Sequence, residues 1–472
     1  MAETAFTLLT PGNNSGVLGL ARATLDGTAL TVDVVASGLT PGQAHPFHLH
    51  GFLDDRPERP AIFADDADGD GFVETAEGEA NAYGPVIAGL TASGDARFGL
   101  EASPDFPVAA ADGTLRFSQT YALDPAAADD ARILERLSAR FEGRFLEFHG
   151  LDLPAGAGAG TPGEVNGAGG YNPQVPVAQG PLLGADAAGV DARTAEWLAA
   201  DSAEFLDRGA EALSLLKPYT LNPEGTGPAA PEPAGAAFPP TDTYAALLAP
   251  SNGSGALGVS VVTLDRDDAS VTVELAMTGL TPWLEHASHI HGFADDSPSL
   301  LPNYRLDADK DGFVEDKEGE PVVAPVLLAL TEDGTVSNAP TGLDFPNADA
   351  SGNFRLSRTY DFDENDPAEA AIFKELTDRL AGREVQVHGL FVPATQGEGT
   401  AGEVNGTAGY KATLPVANSI LLPVTDAEAA RDFAALGETL ENLATAPPSP
   451  IDWNAVGAQV QANYEATGQW FL

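Results

Sequence analysis

The sequence predicts a mainly β protein with helical insertions, built as two tandem antiparallel β-sandwich domains. A block over residues 5–185 recurs over residues 243–425 with its short motifs in the same order. Within each block, runs of β-branched and apolar residues alternate with turns rich in Gly, Asn and Pro, which is the pattern of paired strands. A chain of 472 residues is also long for one hydrophobic core, so two domains are expected.

Composition narrows the possible partners. Seventy acidic residues against 23 basic ones give a formal charge of −47, which repels nucleic acids and favours cations. The same charge is also typical of a salt-adapted surface. The chain has no cysteine, which excludes disulfides and thiolate ligands. No apolar run approaches the roughly 18 residues of a membrane span, and we therefore expect none.

The first residues, from Met1 to Thr4, carry no basic and apolar signal-peptide pattern. Acidic, cysteine-free, calcium-binding chains resemble substrates of type I secretion. We therefore expect an extracellular or periplasmic protein, with metal ions as ligands and a second copy or a surface matrix as candidate partners.

The predicted elements follow in order along the chain. We expect a first domain over 1–190, a helical appendix over 191–216, a Pro- and Gly-rich linker over 217–242, a second domain over 243–425 and a helical tail over 426–472. Turns rich in Asn and Gly open both domains, at 13–16 and 252–255. Predicted strands include 17–25, 30–36, 86–90, 97–100 and 114–121, with counterparts of the first two at 256–264 and 270–277. One amphipathic helix per domain is predicted, over 125–141 and 367–380.

Six of the eight histidines lie in two matched stretches, His45–Phe52 and His286–Phe293. Because strand side chains alternate, the second and third histidines of each stretch share one face, which we expect to be the polar one, away from the core. A later His-Gly pair in each domain supplies a third imidazole. Such sets suit copper or zinc. The candidate ligands are His48, His50, His149, His289, His291 and His388.

The first histidine of each stretch, His45 or His286, falls on the opposite face of an ideal strand. Each becomes a ligand only if the chain bends, which Pro46 favours in the first domain but Ala287 does not in the second. The alternative for all eight histidines is a hydrogen-bonding cluster that holds loops in place.

Two acidic loops match the twelve-residue calcium loop at each diagnostic position. Their glycines at position 6 are Gly71 and Gly312. The oxygen ligands would come from Asp66, Asp68, Asp70, Phe72, Glu74 and Glu77 in the first loop, and from Asp307, Asp309, Asp311, Phe313, Glu315 and Glu318 in the second. No convincing helix flanks either loop in the sequence, so we expect isolated structural calcium loops inserted into another fold.

The order of these motifs resembles that of CHRD domains. The resemblance rests on Ser37-Gly38-Leu39, His48-Leu49-His50-Gly51, Gly84-Pro85-Val86, Glu147-Phe148-His149 and Gly163–Gly167, and on their counterparts in the second domain. It implies a sandwich of immunoglobulin or superoxide-dismutase type that is usually extracellular. The His-X-His pair and the later histidine are also similar to the copper centre of copper/zinc superoxide dismutases, which implies copper at both histidine sets.

Three functions remain open on the sequence. The first is an extracellular protein that binds copper or zinc and calcium, and the second is a copper-dependent oxidoreductase. The third is an adhesion or matrix module stabilised by calcium. A multicopper oxidase, which His45–Phe52 also resembles, is excluded because that class needs a cysteine ligand.

Overall fold

The computed structural model describes residues 2–424, except residues 55, 102, 185–191, 223, 233–240 and 395. It confirms a mainly β protein with two antiparallel sheets, each curled into a barrel or half-barrel, and a few helices. The chain divides into two compact units. In the described residues, the first comprises the chain up to Lys217 with Asn222 and Glu224, and the second comprises Pro218–Leu221 and the chain from Gly225 onwards.

The first unit contains ten described strands in the order β6-β5-β4-β8-β9-β1-β2-β3-β7, with β10 beside β1. Their bounds are β1 Glu3–Pro11, β2 Leu18–Asp26, β3 Ala29–Ser37, β4 Phe47–His50, β5 Val86–Leu90, β6 Ala96–Arg97, β7 Leu115–Ala122, β8 Phe145–Leu153, β9 Gly170–Pro181 and β10 Leu183–Gly184.

Strand β1 joins the two layers of the first unit. Its first seven residues pair with β2, whereas Thr10 and Pro11 pair with β9. A strand that changes partners in this way turns the sheet at a corner and lets its two halves face each other. Phe47 and Phe148 stack between the layers, with ring centroids 4.2 Å apart, and both are fully buried.

The second unit repeats this topology in the order β15-β14-β17-β18-β11-β12-β13-β16, with β19 beside β11. Its described strands are β11 Thr243–Pro250, β12 Leu257–Asp265, β13 Ser270–Thr278, β14 Ser288–His291, β15 Val326–Ala329, β16 Phe354–Asp361, β17 Glu384–Val392, β18 Gly409–Ile420 and β19 Leu422–Pro423.

The described residues also contain six α-helices. They are α1 Thr75–Asn81, α2 Ala128–Ala139, α3 Ala192–Leu198, α4 Ser202–Leu216, α5 Asp316–Val323 and α6 Pro367–Asp378. The appendix helices α3 and α4 are tied to the first unit by Arg22, which donates to the carbonyls of Leu198 and Ala200 and pairs with Asp33 at 2.6 Å. The carbonyl end of α3 therefore receives a positive charge, which stabilises it.

Part of the predicted linker belongs to the second unit. Tyr219 is 1% exposed, its carbonyl accepts from the Leu301 amide, and its hydroxyl donates to Glu232 at 3.0 Å. No helix among the described residues is long and apolar enough to cross a membrane. The predicted helical tail over 426–472 lies outside the described residues.

Candidate metal centres

The first histidine cluster forms where β4 and β8 lie side by side. In their register His48 faces Glu147, so these side chains project from the same surface of the sheet. One donor atom each from His48, His50 and His149 lies within 4.8 Å of the others. The structure thus brings together the three first-domain histidines that strand alternation predicts as ligands.

A β-bulge aims His149 into this cluster. The pairing of β8 with β9 shifts register on both sides of His149, and such a shift redirects the side chain at the bulge. Gly150 follows with φ +111°, and a Cβ there would lie 2.1 Å from the Tyr171 hydroxyl. The His-Gly pair is therefore a structural requirement of the bulge, and the second unit repeats it at His388 and Gly389, where φ is +107°.

His45 lies outside the cluster and supports it. Its Nδ1 is 2.9 Å from the carbonyl oxygen of His149, and its Nε2 is 3.0 Å from that of Thr40. His286 has the same contacts, at 2.8 Å to the His388 carbonyl and 3.0 Å to the Thr281 carbonyl. Both nitrogens of each ring face backbone acceptors, so we exclude His45 and His286 from the proposed ligand sets.

Backbone carbonyls orient two imidazoles of the first cluster. His50 Nδ1 lies 2.9 Å from the carbonyl oxygen of Gly84, and His149 Nδ1 lies 3.1 Å from that of Gln174. A carbonyl only accepts, so each Nδ1 carries the proton and each Nε2 keeps its lone pair. This is the arrangement that fixes a metal-ligating imidazole in proteins.

Glu147 is a fourth candidate ligand, absent from the ligand set predicted from the sequence. Its fully buried Oε2 lies 3.3 Å from His50 Nε2 and 3.1 Å from His149 Nε2. None of these three atoms has a hydrogen bond of acceptable geometry among the described residues. A buried carboxylate oxygen beside two imidazole nitrogens is a suitable additional donor for a cation held by the three histidines.

Burial keeps most of these imidazoles neutral. Desolvation lowers the pKa of His50 to about 4, and with the neighbouring histidines it lowers the pKa of His48 well below its ordinary value. Burial is the largest single effect on the pKa of His149 and lowers it, but the Glu147 carboxylate, the Gln174 carbonyl and the Glu164 charge together raise that pKa above its ordinary value. Neutral imidazoles bind metal without first losing a proton, so His48 and His50 are ready ligands at neutral pH.

The second cluster repeats the three histidines. Donor atoms of His289, His291 and His388 lie within 4.8 Å of one another. Each ring has one nitrogen facing a carbonyl oxygen, at 3.1 Å to Pro340, 2.8 Å to Ala324 and 3.2 Å to Ala287, respectively. Burial, chiefly, lowers the pKa of His291 and of His388 to about 4.

The two clusters differ in their oxygen donors. The register of β14 and β17 places Gln386 beside His289, where the first unit has Glu147 beside His48. The Gln386 amide oxygen is buried without a partner among the described residues. The described carboxylate that comes within ion-pair distance of the second cluster is that of Asp316, whose Oδ1 lies 3.9 Å from His388 Nε2. The buried Glu384 lies opposite His291 in the same register and accepts from the Asn418 amide at 2.9 Å.

The histidine faces are buried, contrary to the expectation that they lie on a polar side away from the core. His48 is 1% exposed and packs edge-on against Phe106, with ring centroids 5.3 Å apart. His50 packs in the same way against Tyr83 at 4.8 Å. Aromatic side chains from other segments pack on this face. The alternation of residues within one strand cannot predict which distant segments pack on either face.

Ala324 is strained where it holds His291. Its φ of 83° and ψ of 168° lie in a region that almost only glycine adopts. The corresponding carbonyl in the first unit belongs to Gly84, with φ 77°. We expect Ala324→Gly to raise the free energy of unfolding of the second unit by about 1 kcal/mol in urea denaturation. The matched change Gly84→Ala should destabilise the first unit, because the added Cβ would lie 2.5 Å from the Phe52 nitrogen. If Ala324→Gly instead lowers the free energy of unfolding, Ala324 is not strained.

The first acidic loop folds as a calcium loop should. Asp66 accepts from the amides of Gly69 and Gly71 at 2.7 and 2.9 Å, and Asp70 accepts from Phe72 at 2.8 Å. The carboxylates of Asp66, Asp68 and Asp70 converge within 4.8 Å. Asp70 is 5% exposed, and its Oδ2 has no hydrogen-bond partner among the described residues. A buried carboxylate oxygen facing other carboxylates fits a hard cation.

The second loop has the same geometry. Asp307 accepts from the amides of Lys310 and Gly312 at 2.7 and 2.9 Å, and Asp311 accepts from Phe313 at 2.8 Å. Donor atoms of Asp307, Asp309 and Glu318 lie within 4.8 Å of one another. Asp311 is 4% exposed and, like Asp70, keeps one Oδ2 without a partner in the described chain.

Two sequence motifs outside the loops hold them in place. The amide of Asn13, in the first Asn-rich turn, pairs with both backbone groups of Val73 at 2.8 and 2.9 Å. The amide of Val165, within Gly163–Gly167, donates to Glu74 at 2.6 Å. Asn252 and Val404 make the same contacts in the second unit. The sequence marks the Asn-rich segment as a turn and Gly163–Gly167 only as part of the CHRD resemblance, and the structure shows that both are bonded to the acidic loop.

A helix does follow each acidic loop, which corrects the expectation of loops without flanking helices. Helix α1 begins at Thr75 and α5 at Asp316, the tenth loop positions. The Glu77 carboxylate accepts from the Glu74 amide at 3.0 Å and so caps α1. These helices span only seven and eight residues, too few for a periodic apolar pattern to reveal them.

The crowded carboxylates predict a pH dependence in calcium-free buffer. Burial, chiefly, raises the pKa of Asp70 to about 8 and that of Glu74 to about 7. A carboxyl whose pKa rises on folding loses stability as pH increases through that value, because the folded protein must bear the buried charge. We therefore expect the urea concentration at half unfolding of the first unit to decrease as the pH rises from about 6.5 to about 8. Above about pH 6.5 the histidines of the unfolded chain are neutral and add no opposing effect.

Calcium should remove this fall, since the cation stabilises the ionised carboxylates. Asp70→Asn should reduce the fall even without calcium, which assigns the effect to the loop. A midpoint that rises over the same interval in calcium-free buffer would contradict the crowding described above.

No family model matches the chain, and no curated protein matches it significantly. The similarity to CHRD domains and to copper/zinc superoxide dismutases therefore stays a prediction from short motifs. We therefore infer the function from the geometry of the two histidine clusters and the two acidic loops.

Proposed function

We propose that the protein binds one copper or zinc ion in the histidine cluster of each unit and one calcium ion in each acidic loop. The observation that carries this proposal is the convergence of buried imidazole nitrogens that have no hydrogen-bond partner among the described residues. In the first cluster these include His50 Nε2 and His149 Nε2, and in the second His289 Nδ1 and His291 Nε2. Leaving such atoms unpaired in a protein interior is costly, and a metal ion relieves that cost.

The donor set supports a transition metal rather than magnesium or calcium at the clusters. Imidazole nitrogens suit copper, zinc, iron and nickel, whereas hard cations take mainly oxygen ligands. A set of three imidazoles with an oxygen donor is typical of zinc or copper at four-coordinate sites. The loops present only oxygen donors, which favours calcium there.

Burial supports retention of the ion over turnover of a substrate. The six cluster histidines are at most 3% exposed, and a catalytic metal needs an open position that a substrate can reach. We therefore propose a metal-binding role, with the dismutase-like oxidoreductase as the alternative. We propose an extracellular or periplasmic location, where calcium is abundant and the absence of cysteine is no disadvantage.

Metal titration of the purified chain tests this proposal. We expect two zinc ions per chain after calcium has been added, as measured with a chromophoric competitor. The double variant His48→Ala/His50→Ala should bind one zinc ion per chain, at the second cluster. The double variant His289→Ala/His291→Ala should also bind one, at the first cluster. Glu135→Gln, on an exposed side chain of α2, is the matched surface control. Zinc binding that is unchanged when all four histidines are substituted would overturn the proposal, as would no stoichiometric zinc or copper binding at all.

A further inference from the structure

The two units place a carboxylate beside their third histidine from different parts of the fold. In the first unit Glu147 extends from β8, the strand that also carries His149. In the second unit the same strand position holds the neutral Gln386. The carboxylate there is Asp316, which lies in the calcium loop between Glu315 and Glu318, at positions 9 and 12.

The tenth loop position of the first unit has a different role. Thr75 Oγ1 lies 3.3 Å from His149 Nδ1, on the opposite side of the ring from Glu147, and donates to the Gln174 carbonyl. Thr75 carries no charge and its hydroxyl hydrogen is directed away from the ring. Among the described residues of the first loop, Thr75 therefore offers its cluster a hydroxyl group in place of a carboxylate. The Glu79 carboxylate of α1 lies 4.0 Å from His50 Nδ1, but that nitrogen already faces the Gly84 carbonyl and is not the ligating atom.

His388 is turned so that it faces the loop. Its Nδ1 lies 3.2 Å from the Ala287 carbonyl, and this leaves Nε2 on the side of Asp316. The Asp316 side chain is 45% exposed and makes no closer ion pair among the described residues, so its position follows that of the loop backbone. Asp316 is both the tenth loop position and the first residue of α5, so the loop backbone sets the distance from its carboxylate to His388.

From this placement we propose that Asp316 is the carboxylate donor of the second histidine cluster, and that calcium in the adjoining loop controls transition-metal affinity there. The first cluster takes its carboxylate from a strand, so its affinity is independent of calcium. This inference rests on the proposed metal-binding function. The calcium site itself is supported by the unpaired Asp311 Oδ2, on a residue 4% exposed.

The test compares zinc affinity at each cluster with and without calcium. In the full-length double variant His48→Ala/His50→Ala, only the zinc affinity of the second cluster is measured. In full-length His289→Ala/His291→Ala, only that of the first cluster is measured. We expect calcium to tighten zinc binding at the second cluster by about tenfold, a coupling within the usual range for linked sites. At the first cluster we expect a change of less than about twofold.

Substitution of Asp316 assigns the effect. Asp316→Asn should abolish the calcium response of the second cluster while calcium still binds, since the tenth loop position supplies no calcium ligand.

The outcomes separate this inference from the function on which it rests. Failure of both double variants to bind zinc would contradict the metal-binding proposal itself. Zinc binding at both clusters with equal calcium responses would overturn only the role of Asp316, as would an Asp316→Asn variant that keeps the calcium response.

Discussion

Removal of calcium should lower the midpoint of thermal unfolding of each unit by about 10 °C. A ligand present at about a thousand times its dissociation constant stabilises the folded state by about 4 kcal/mol, and each kcal/mol shifts the midpoint of a domain of this size by about 2–4 °C. The shift should be large here because the loop is also hydrogen-bonded to segments outside it. Glu74 accepts from Val165, and Asn13 holds Val73 against the sheet.

Single substitutions assign this effect to the loops. Glu77→Gln should weaken calcium binding in the first unit, and Glu318→Gln should do so in the second, because position 12 supplies two oxygens to calcium. Differential scanning calorimetry should then show one transition lowered and the other unchanged. The exposed Glu135→Gln variant is the control for lost charge alone. Equal midpoints with and without calcium in the unsubstituted protein would contradict this prediction.

The second large effect concerns His149. We expect His149→Ala to weaken zinc binding at the first cluster by at least about 100-fold, or about 2.7 kcal/mol. The substitution removes one donor and leaves Glu147 buried opposite His50 without its nearer partner. Glu147→Gln keeps all three imidazoles and should cost only about tenfold.

His388→Ala is the matched variant in the second unit. It should weaken zinc binding at the second cluster and leave the first unchanged, as measured by competitive titration in which the two steps are resolved. An effect of His149→Ala no larger than that of Glu147→Gln would show that His149 is not a ligand. The cluster would then be a hydrogen-bonding support for loops.

Much of the histidine site could be predicted from the sequence because it depends on local geometry. His48 and His50 share a face of β4, since side chains alternate along any strand. The repeat of the His-Gly pair at His388 indicated His149 as the third histidine, whereas the pairing of its strand with β4 is seen only in the structure. Strands β2, β3 and β5 also follow from local composition, and their bounds agree with the predicted runs within one residue.

Alternation along β8 places Glu147 on the same face as His149, but its counterpart Gln386 is not a typical metal ligand, so the repeat gives no signal that marks Glu147 as one. Comparison of the two repeats therefore concealed the difference between them. The role of Asp316 depends on a contact with His388, 72 residues further along the chain, at a position that supplies no calcium ligand.

The burial of the histidines could not be predicted from local sequence patterns either. Tyr83 and Phe106, which cover the first cluster, come from segments whose arrangement depends on the whole fold. Strand β9 was missed because it contains prolines at 173, 176 and 181, which argue against a strand in sequence-based reasoning.

Anomalous diffraction from crystals grown with zinc and calcium tests the central claim most directly. Data collected on either side of the zinc absorption edge should show two zinc peaks per chain. One should lie among His48, His50, His149 and Glu147, and the other among His289, His291 and His388, each at about 2.0–2.1 Å from the imidazole nitrogens. Zinc peaks confined to the acidic loops or to surface carboxylates, with none at the histidine clusters, would contradict the proposed function.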